Sequence, residues 1–525
     1  FHSSCPSVML CSPMVARTYS ATLVGVNAHE VEIESHESGG NGPRMIIVGL
    51  PDTAVKESRD RVTAAMDSSG YWIHNGFTTV NLAPANLKKE GPAFDLPIAV
   101  AVIAKQQRLD VDRLKETAMA GELALNGELR PVRGLLAIAL EARAKGRKRL
   151  LVPKRAALEA SVVAGIDIIG IGCLREAVDY LLENIQIQPE PCRAAEFFAA
   201  ASNYSIDFLD VKGQSHAKRA IEVSASGGHN ILMVGPPGTG KSMLAKRIAT
   251  IMPGMSEEEA IETTKIHSAG GLLSEALAFI ATRPFRSPHH TISDAGLLGG
   301  GSNPGPGEVS LGHNGVLFLD ELPEFKRSTL EVLRQPLEDG KVTIARAAGT
   351  VTFPAQFMLV AAMNPCPCGY YGDLKRECRC GAAVVTRYRQ RISGPLLDRI
   401  DLHVDVPTVE YKELTTGDAG ESSEVIRARV EKCRAVQMDR FKNDKGVNTN
   451  SAMTPRLIKK HCELDAEGGH FLEHAMGEMN FSARAHDRIL KVARTLADLG
   501  GLEKISADNV LEAVQYRTLD RKLWV

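Results

Sequence analysis

The run Ile231-Leu-Met-Val-Gly235-Pro-Pro-Gly-Thr-Gly-Lys241-Ser242 constrains this chain more than any other stretch. It fits G-x-x-x-x-G-K-[ST], a loop whose backbone amides wrap phosphates. Four apolar residues before it read as a buried strand, and Ser242 to Ile248 after it read as a helix. Amide groups gathered at a helix N-terminus favour an anion. The strand, loop and helix together predict an α/β core that binds a nucleoside triphosphate. The binding residues are Gly235, Pro236, Pro237, Gly238, Thr239, Gly240, Lys241 and Ser242.

A second element turns binding towards hydrolysis. Val316-Leu-Phe-Leu-Asp320-Glu321 is an apolar strand-like run that ends in two acids. In P-loop chemistry the first acid helps the loop Ser hold Mg²⁺, and the second polarises water for attack on the γ-phosphate. A third strand-like run, 356–362, leads to Asn364, whose amide could orient that water. Taken alone, an Asn after a strand is a turn residue.

At 525 residues the chain should hold about three domains. Net charge is −1 with a pI near 7.0, so any nucleic-acid surface must be a local patch. No apolar run approaches the ~18 residues that span a membrane. Ten cysteines in this length do not make a disulfide scaffold, and four of them cluster. A cytoplasmic protein without membrane partners is expected. Residues 1–15 are left unassigned; Met14 could be the natural start, and the sequence before it makes a poor signal peptide.

Residues 16–185 read as a mixed α/β module. Strands are expected at 18–26, 30–34, 44–48, 78–82, 149–152 and 167–169, and helices at 54–68, 96–105, 135–144 and 174–184. A Pro-containing linker is expected over 186–204, the nucleotide core over 205–408 and a charged helical region over 409–525. That last region opens with a polar loop at 415–423 and has clear helical periodicity at 483–499 and 507–519.

Five segments together resemble the magnesium-chelatase-like branch of the AAA+ ATPases, most closely the ComM/YifB family. They are GGHNILMVGPPGTGKS (227–242), RPFRSPHHTISDAGLLGGG (283–301), NGVLFLDELPEF (314–325), MNPCPCGYYGD (363–373) and SGPLLDRIDLHV (393–404). FSARAHDRILKVARTLADL (481–499) extends the match into the lid. The resemblance implies an AAA+ core with a helical lid, ATP and Mg²⁺ as cofactors, and assembly into a homo-hexameric ring. It makes Asn364 look like sensor 1 and Arg484 like sensor 2 of the lid. Arg399 sits where related rings place an arginine finger, which completes the neighbouring subunit's site. Without the family, either arginine reads as a surface charge or salt-bridge partner.

Asp320 lies 78 residues after Ser242, more than a minimal crossover needs, which leaves room for this branch's insertion at 270–313. Within it, the Gly-rich run 299–307 cannot be a rigid helix and should be mobile. Residues 340–346 and 349–353 read as a β-hairpin. In related motors such hairpins face the pore, which makes Lys341 and Arg346 candidates for DNA phosphates; an ordinary solvated hairpin is the alternative. Cys366-Pro-Cys368 and Cys378-Arg-Cys380 could supply four thiolates to a closed zinc site, or form a redox-sensitive or structural cluster. Pro288-His289-His290 reads as a polar loop contact rather than a metal site.

The front module resembles the S5-type, Lon-protease-like domain, carried by Lys89-Glu-Gly-Pro-Ala-Phe-Asp95 and the segment from Gly121 to Leu136. Ala93 and Leu136 stand where Lon proteases carry their Ser and Lys, so no peptidase activity is expected. Lys88, Lys89, Arg143, Lys145, Arg147, Lys148 and Arg149 form basic runs, read first as solvated surface and second as DNA contacts. The resulting expectation is a hexameric, Mg²⁺- and ATP-dependent motor on single-stranded or branched DNA. Helicase action and branch migration during recombination of incoming DNA are implied by the resemblance. The competing reading is a chelatase-type ATPase subunit that remodels a protein partner.

Overall fold

Two hydrophobic patterns build two different sheets. The computed structural model describes residues 15–200, 204–274, 278–301, 304–346, 349–373, 375–409, 420–444, 446–479 and 481–519. The unassigned N-terminal segment up to residue 14, most of the loop expected at 415–423 and the side chain of Arg346 lie outside them. The chain divides into two compact units: one runs to residue 199 and takes in 264–280, and the other holds 200–263 and everything from 281. No helix among the described residues is long and apolar enough to cross a membrane.

The first unit carries a seven-stranded mixed sheet. Its order is Arg44–Val48, Gly76–Ala83, Asn27–Gly39, Ala16–Val24, Thr117–Met119, Arg149–Pro153 and Asp167–Ile171. In Gly76–Ala83, buried and half-buried residues alternate strictly, the period of a sheet with one core face. Val31, Ile33, Val80 and Leu82 pack there with the helices Thr53–Ser68 and Asp95–Gln106. The latter helix is buried from Asp95 to Ala104, which is why its pattern is apolar all round. The three-residue strand Thr117–Met119 was not expected, and a helix, Ala194–Ala200, stands inside the expected linker.

The second unit is built on a five-stranded, all-parallel sheet. Its order is Phe285–Arg286, Val316–Leu319, Met358–Met363, Ile231–Val234 and Leu402–Asp405. The three middle strands are buried along their whole length, as a parallel sheet covered on both faces requires. Their adjacency brings three carboxyl ends side by side: the start of the P-loop, the Asp320-Glu321 pair and Asn364. Open α/β sheets bind ligands at that edge.

The helices beyond residue 420 share the buried core of this sheet. Val430, Ile489, Val492 and Leu496 pack in one cluster with Val223, Ile231 and Ile248. The helix Ala483–Leu499 is started by Ser482, which caps Ala485 N–H. Ser506 and Asn509 form a reciprocal cap on Ala507–Gln515. The hairpin forms from Lys341–Arg346 and Gly349–Pro354 in antiparallel register. In the Gly-rich run, Gly299–Gly300 pairs with Gly305–Pro306; a Cβ on Gly299 would lie 2.3 Å from the Gly305 carbonyl oxygen.

Candidate functional site

The P-loop is shaped by two left-handed glycines, Gly238 (φ 78°) and Gly240 (φ 83°), and Gly240 opens the helix Lys241–Ile251. The buried Lys241 ammonium turns back into its own loop. It donates to the carbonyls of Gly235 at 2.7 Å and Pro236 at 2.8 Å and to Asn364 Oδ1 at 3.2 Å. Burial pulls its pKa down, and the charge on Asp320 opposes that shift. Thr239 Oγ1 donates to Pro236 O at 3.0 Å, and Gln214 Nε2 ties Thr239 O at 2.7 Å.

Ser242 Oγ donates to Asp320 Oδ2 at 2.6 Å, while Asp320 Oδ1 accepts the Glu321 N–H at 2.9 Å. A hydroxyl and a carboxylate beside a phosphate loop form the hard oxygen donor set that suits Mg²⁺. Four expected residues thus form two contacts side by side, Lys241 with Asn364 and Ser242 with Asp320. Glu321 is held beside them in a left-handed conformation (φ 52°) with its side chain 57 % exposed. That conformation is costly outside glycine and is stored at working sites. His290 Nδ1 lies 3.7 Å from Glu321 Oε2; its ring is tilted by 34° against His289 and stands edge-to-face with Phe325. The His-His motif thus makes a polar contact, and its partner is Glu321.

Arg399 and Arg484 stand apart from these contacts but close to each other. Arg399 pairs with Glu338 and donates to Pro395 O at 2.6 Å; its side chain is 11 % exposed. Arg484 is 68 % exposed and lies 3.7 Å from Asp398. Beneath them is a group that spacing alone did not single out. Asp401 is fully buried, pairs with Arg488 and lies 3.4 Å from His229 Nδ1. Burial alone raises its carboxyl, but Arg488 and His229 more than offset this and hold it well below the usual carboxylate range. Asn230, next to His229, donates through Nδ2 to Arg399 O at 2.9 Å and through its N–H to Asp401 Oδ2 at 3.0 Å. The available signal was a buried-type Asp in Leu-Leu-Asp-Arg-Ile-Asp with no partner nearby in sequence.

The four cysteine sulfurs all lie within 4.8 Å of one another. Cys366 is 3.3 Å from Cys368 and 3.7 Å from Cys378, and Cys368 is 3.6 Å from Cys378. A tetrahedral zinc shell with Zn–S near 2.3 Å has S···S edges of about 3.8 Å, so the donor set fits. Backbone N–H groups of Tyr370 and Arg379 pull Cys368 down to about 6. Cys378 accepts a backbone N–H from Cys380 yet is pushed up to about 12 by burial and by its thiol neighbours.

Other expected residues separate. Lys341 is exposed on the hairpin, and the Arg346 side chain is outside the described residues. In the first unit, Ala93 and the buried Leu136 offer neither hydroxyl nor amine. The basic runs are largely neutralised: Lys88 meets Glu90 at 2.6 Å, Arg147 meets Glu30 at 2.9 Å, and Lys148 and Arg149 share Glu116. Lys89 is buried and donates to Pro84 O. These pairs fit the first reading of the runs, as solvated surface.

A P-loop, a strand-end acid pair and an amide on a third strand define a P-loop ATPase core of AAA+ type. Family models agree: magnesium chelatase, subunit ChlI, matches residues 207–414; subunit ChlI of Mg-chelatase matches 33–156; and the ChlI C-terminal model matches 420–517. Competence protein ComM of Haemophilus influenzae is 43% identical, covering 97% of this chain and 98% of its own length. YifB of Escherichia coli is 42% identical, covering 96% and 97%. Lon protease 2 of Bacillus subtilis is 27% identical over 25% of this chain and 22% of its own. The chain belongs to the ComM/YifB family of magnesium-chelatase-like AAA+ ATPases.

Proposed function

We propose that this protein is a Mg²⁺-dependent, ATP-hydrolysing ring motor that acts on single-stranded or branched DNA, with helicase and branch-migration activity in the recombination of incoming DNA. The observation that carries the reading is the pair of contacts Lys241–Asn364 and Ser242–Asp320 at one sheet edge. The likeness to a competence protein over nearly the whole chain supports the DNA assignment.

Bound ATP supplies the transferable phosphoryl group, and Mg²⁺ neutralises its charge. Lys241 exchanges the Gly235 and Pro236 carbonyls for phosphate oxygens, regaining charge-assisted hydrogen bonds. Ser242 and Asp320 hold the metal. Glu321 accepts the proton of the attacking water, and Asn364 orients that water. Arg399 leaves Glu338 to reach the neighbouring subunit's site in a homo-hexamer, and Arg484 senses the nucleotide from the lid. Lys341 and Arg346 contact DNA phosphates. The four cysteines hold a structural zinc ion. With Ala93 and Leu136 in place of a Ser–Lys pair, the first unit serves as a scaffold without peptidase activity.

Unwinding of a forked duplex, wild type beside Lys241→Ala and Arg399→Ala, tests the reading; both variants are expected to lose unwinding. A second reading, a chelatase-type subunit that remodels a protein partner, is favoured by the family models alone. ATPase stimulation separates the two: forked DNA should raise turnover, with a steep salt dependence. Turnover indifferent to DNA at low salt would refute the motor on DNA.

A further inference from the structure

The cysteine cluster is joined to the nucleotide site at two points. Asn364, which accepts from Lys241, is separated from Cys366 by Pro365 alone. Four residues along the same loop, Gly369 (φ 87°) packs flat on the P-loop: a Cβ there would lie 2.4 Å from Pro237 Cδ and 2.7 Å from its Cγ. The turn between these points is closed by Gly369 N–H to Cys366 O at 3.0 Å. On the far side, Arg389 Nε donates to Pro365 O at 3.1 Å, and its guanidinium lies 4.7 Å from the Tyr371 ring centroid. Cys366 is fully buried at the root of this turn, and Cys378 and Cys380 come back to it from a separate stretch of loop.

A turn held by a few hydrogen bonds, the Arg389 contacts and thiol contacts, with no covalent link across it, is a modest backing for a loop that must present its amides to phosphates. Four sulfurs at tetrahedral spacing supply the missing fastening when a metal joins them, because each metal–thiolate bond pins one point of the turn. We propose that zinc bound by Cys366, Cys368, Cys378 and Cys380 clamps the turn that backs Pro237 and carries Asn364, so that metal occupancy sets the affinity of the P-loop for nucleoside triphosphate. The inference rests on the nucleotide reading of residues 235–242.

The test uses the full chain. Metal content is measured by mass spectrometry, and mant-ATP affinity is measured by fluorescence before chelator dialysis, after it, and after re-addition of zinc with Mg²⁺ restored throughout. About one zinc per chain is expected, with nucleotide affinity weaker by about tenfold or more after removal and recovered on re-addition. Gly369→Val provides a second route that leaves the ligands intact. It should keep its zinc and its helical circular dichroism yet bind mant-ATP about tenfold more weakly, since its Cβ displaces Pro237. A chain that takes up no zinc on reconstitution, or one whose affinity is the same with and without zinc, overturns the clamp. A Gly369→Val variant with wild-type affinity also overturns it. Failure of the wild-type, zinc-loaded chain to bind mant-ATP at all would instead refute the nucleotide reading beneath it.

Discussion

Replacing Asp401 by Asn removes the charge of a fully buried carboxylate in the second unit and leaves its shape unchanged. Asp401 and Arg488 meet out of water, with His229 and the Asn230 N–H on the same carboxylate. The Asn oxygen can still accept from Asn230, but the buried Arg488 guanidinium loses its counter-charge. Breaking a buried pair this way costs about 3–5 kcal/mol. Arg488 also feels Asp398 and Glu338, which places the expected loss at the lower end, about 3 kcal/mol. In a unit of this size that is a fall of about 6 °C in the melting transition. Differential scanning calorimetry at neutral pH reads it directly. The double variant Asp401→Asn, Arg488→Met removes both charges and should return to within about 1 kcal/mol of wild type. A single variant as stable as wild type, or a double variant as damaged as the single, would refute the view that the loss comes from an orphaned charge. A functional readout accompanies it: Asn230 holds Arg399 O, so DNA-stimulated turnover should fall in the single variant and recover in the double.

The same group sets an acid limit. Burial holds His229 below its ordinary pKa, so the unfolded chain takes up its proton first as pH falls through about 6.5, and folded stability drops from there by up to ~1.4 kcal/mol per pH unit. The depressed Asp401 adds a further loss below about pH 4; pH-dependent melting of wild type beside His229→Asn checks the first limb, which should flatten in the variant. Glu321→Gln should lower kcat by about 10²–10⁴ with mant-ATP affinity kept; turnover equal to wild type would remove Glu321 from the chemistry. His290→Ala frees the Glu321 carboxylate from a contact worth under about 1 kcal/mol and should raise basal turnover by at most about fivefold; a loss beyond tenfold would place His290 in the chemistry itself. Glu338→Gln unties Arg399 from a half-exposed pair and should change assembled turnover by less than about fivefold, measured with forked DNA at saturating ATP.

What could be read from the sequence was what short spacing encodes. The P-loop, the acids at a strand end and the hairpin each lie within a short stretch of chain, and each forms where expected. Thr117–Met119 escaped because three residues carry no period, although they join the two halves of the first sheet. The helix Ala194–Ala200 escaped because the prolines before it dominated the pattern. The partners of the basic runs could not be read for another reason: the acids Glu30 and Glu116 come from distant turns of the chain. Asp401 escaped for the same reason, since its partners on the P-loop strand side and on the lid helix are 171 and 87 residues away.

Those long separations bear on how the site works. Lys241, Asp320 and Asn364 need only the parallel sheet to meet, so the nucleotide site is assembled by the fold of one subunit. Arg399 is different. Its backbone carbonyl is anchored by Asn230 and the nearby Asp401 by Arg488, while its guanidinium, 11 % exposed, is held by the Pro395 carbonyl and by Glu338, an acid that is 63 % exposed. In the proposed ring, delivering Arg399 to a neighbour means breaking its contacts to Glu338 and Pro395 O, while the Asp401–Arg488 pair, which costs about 3–5 kcal/mol to break, keeps its backbone in place.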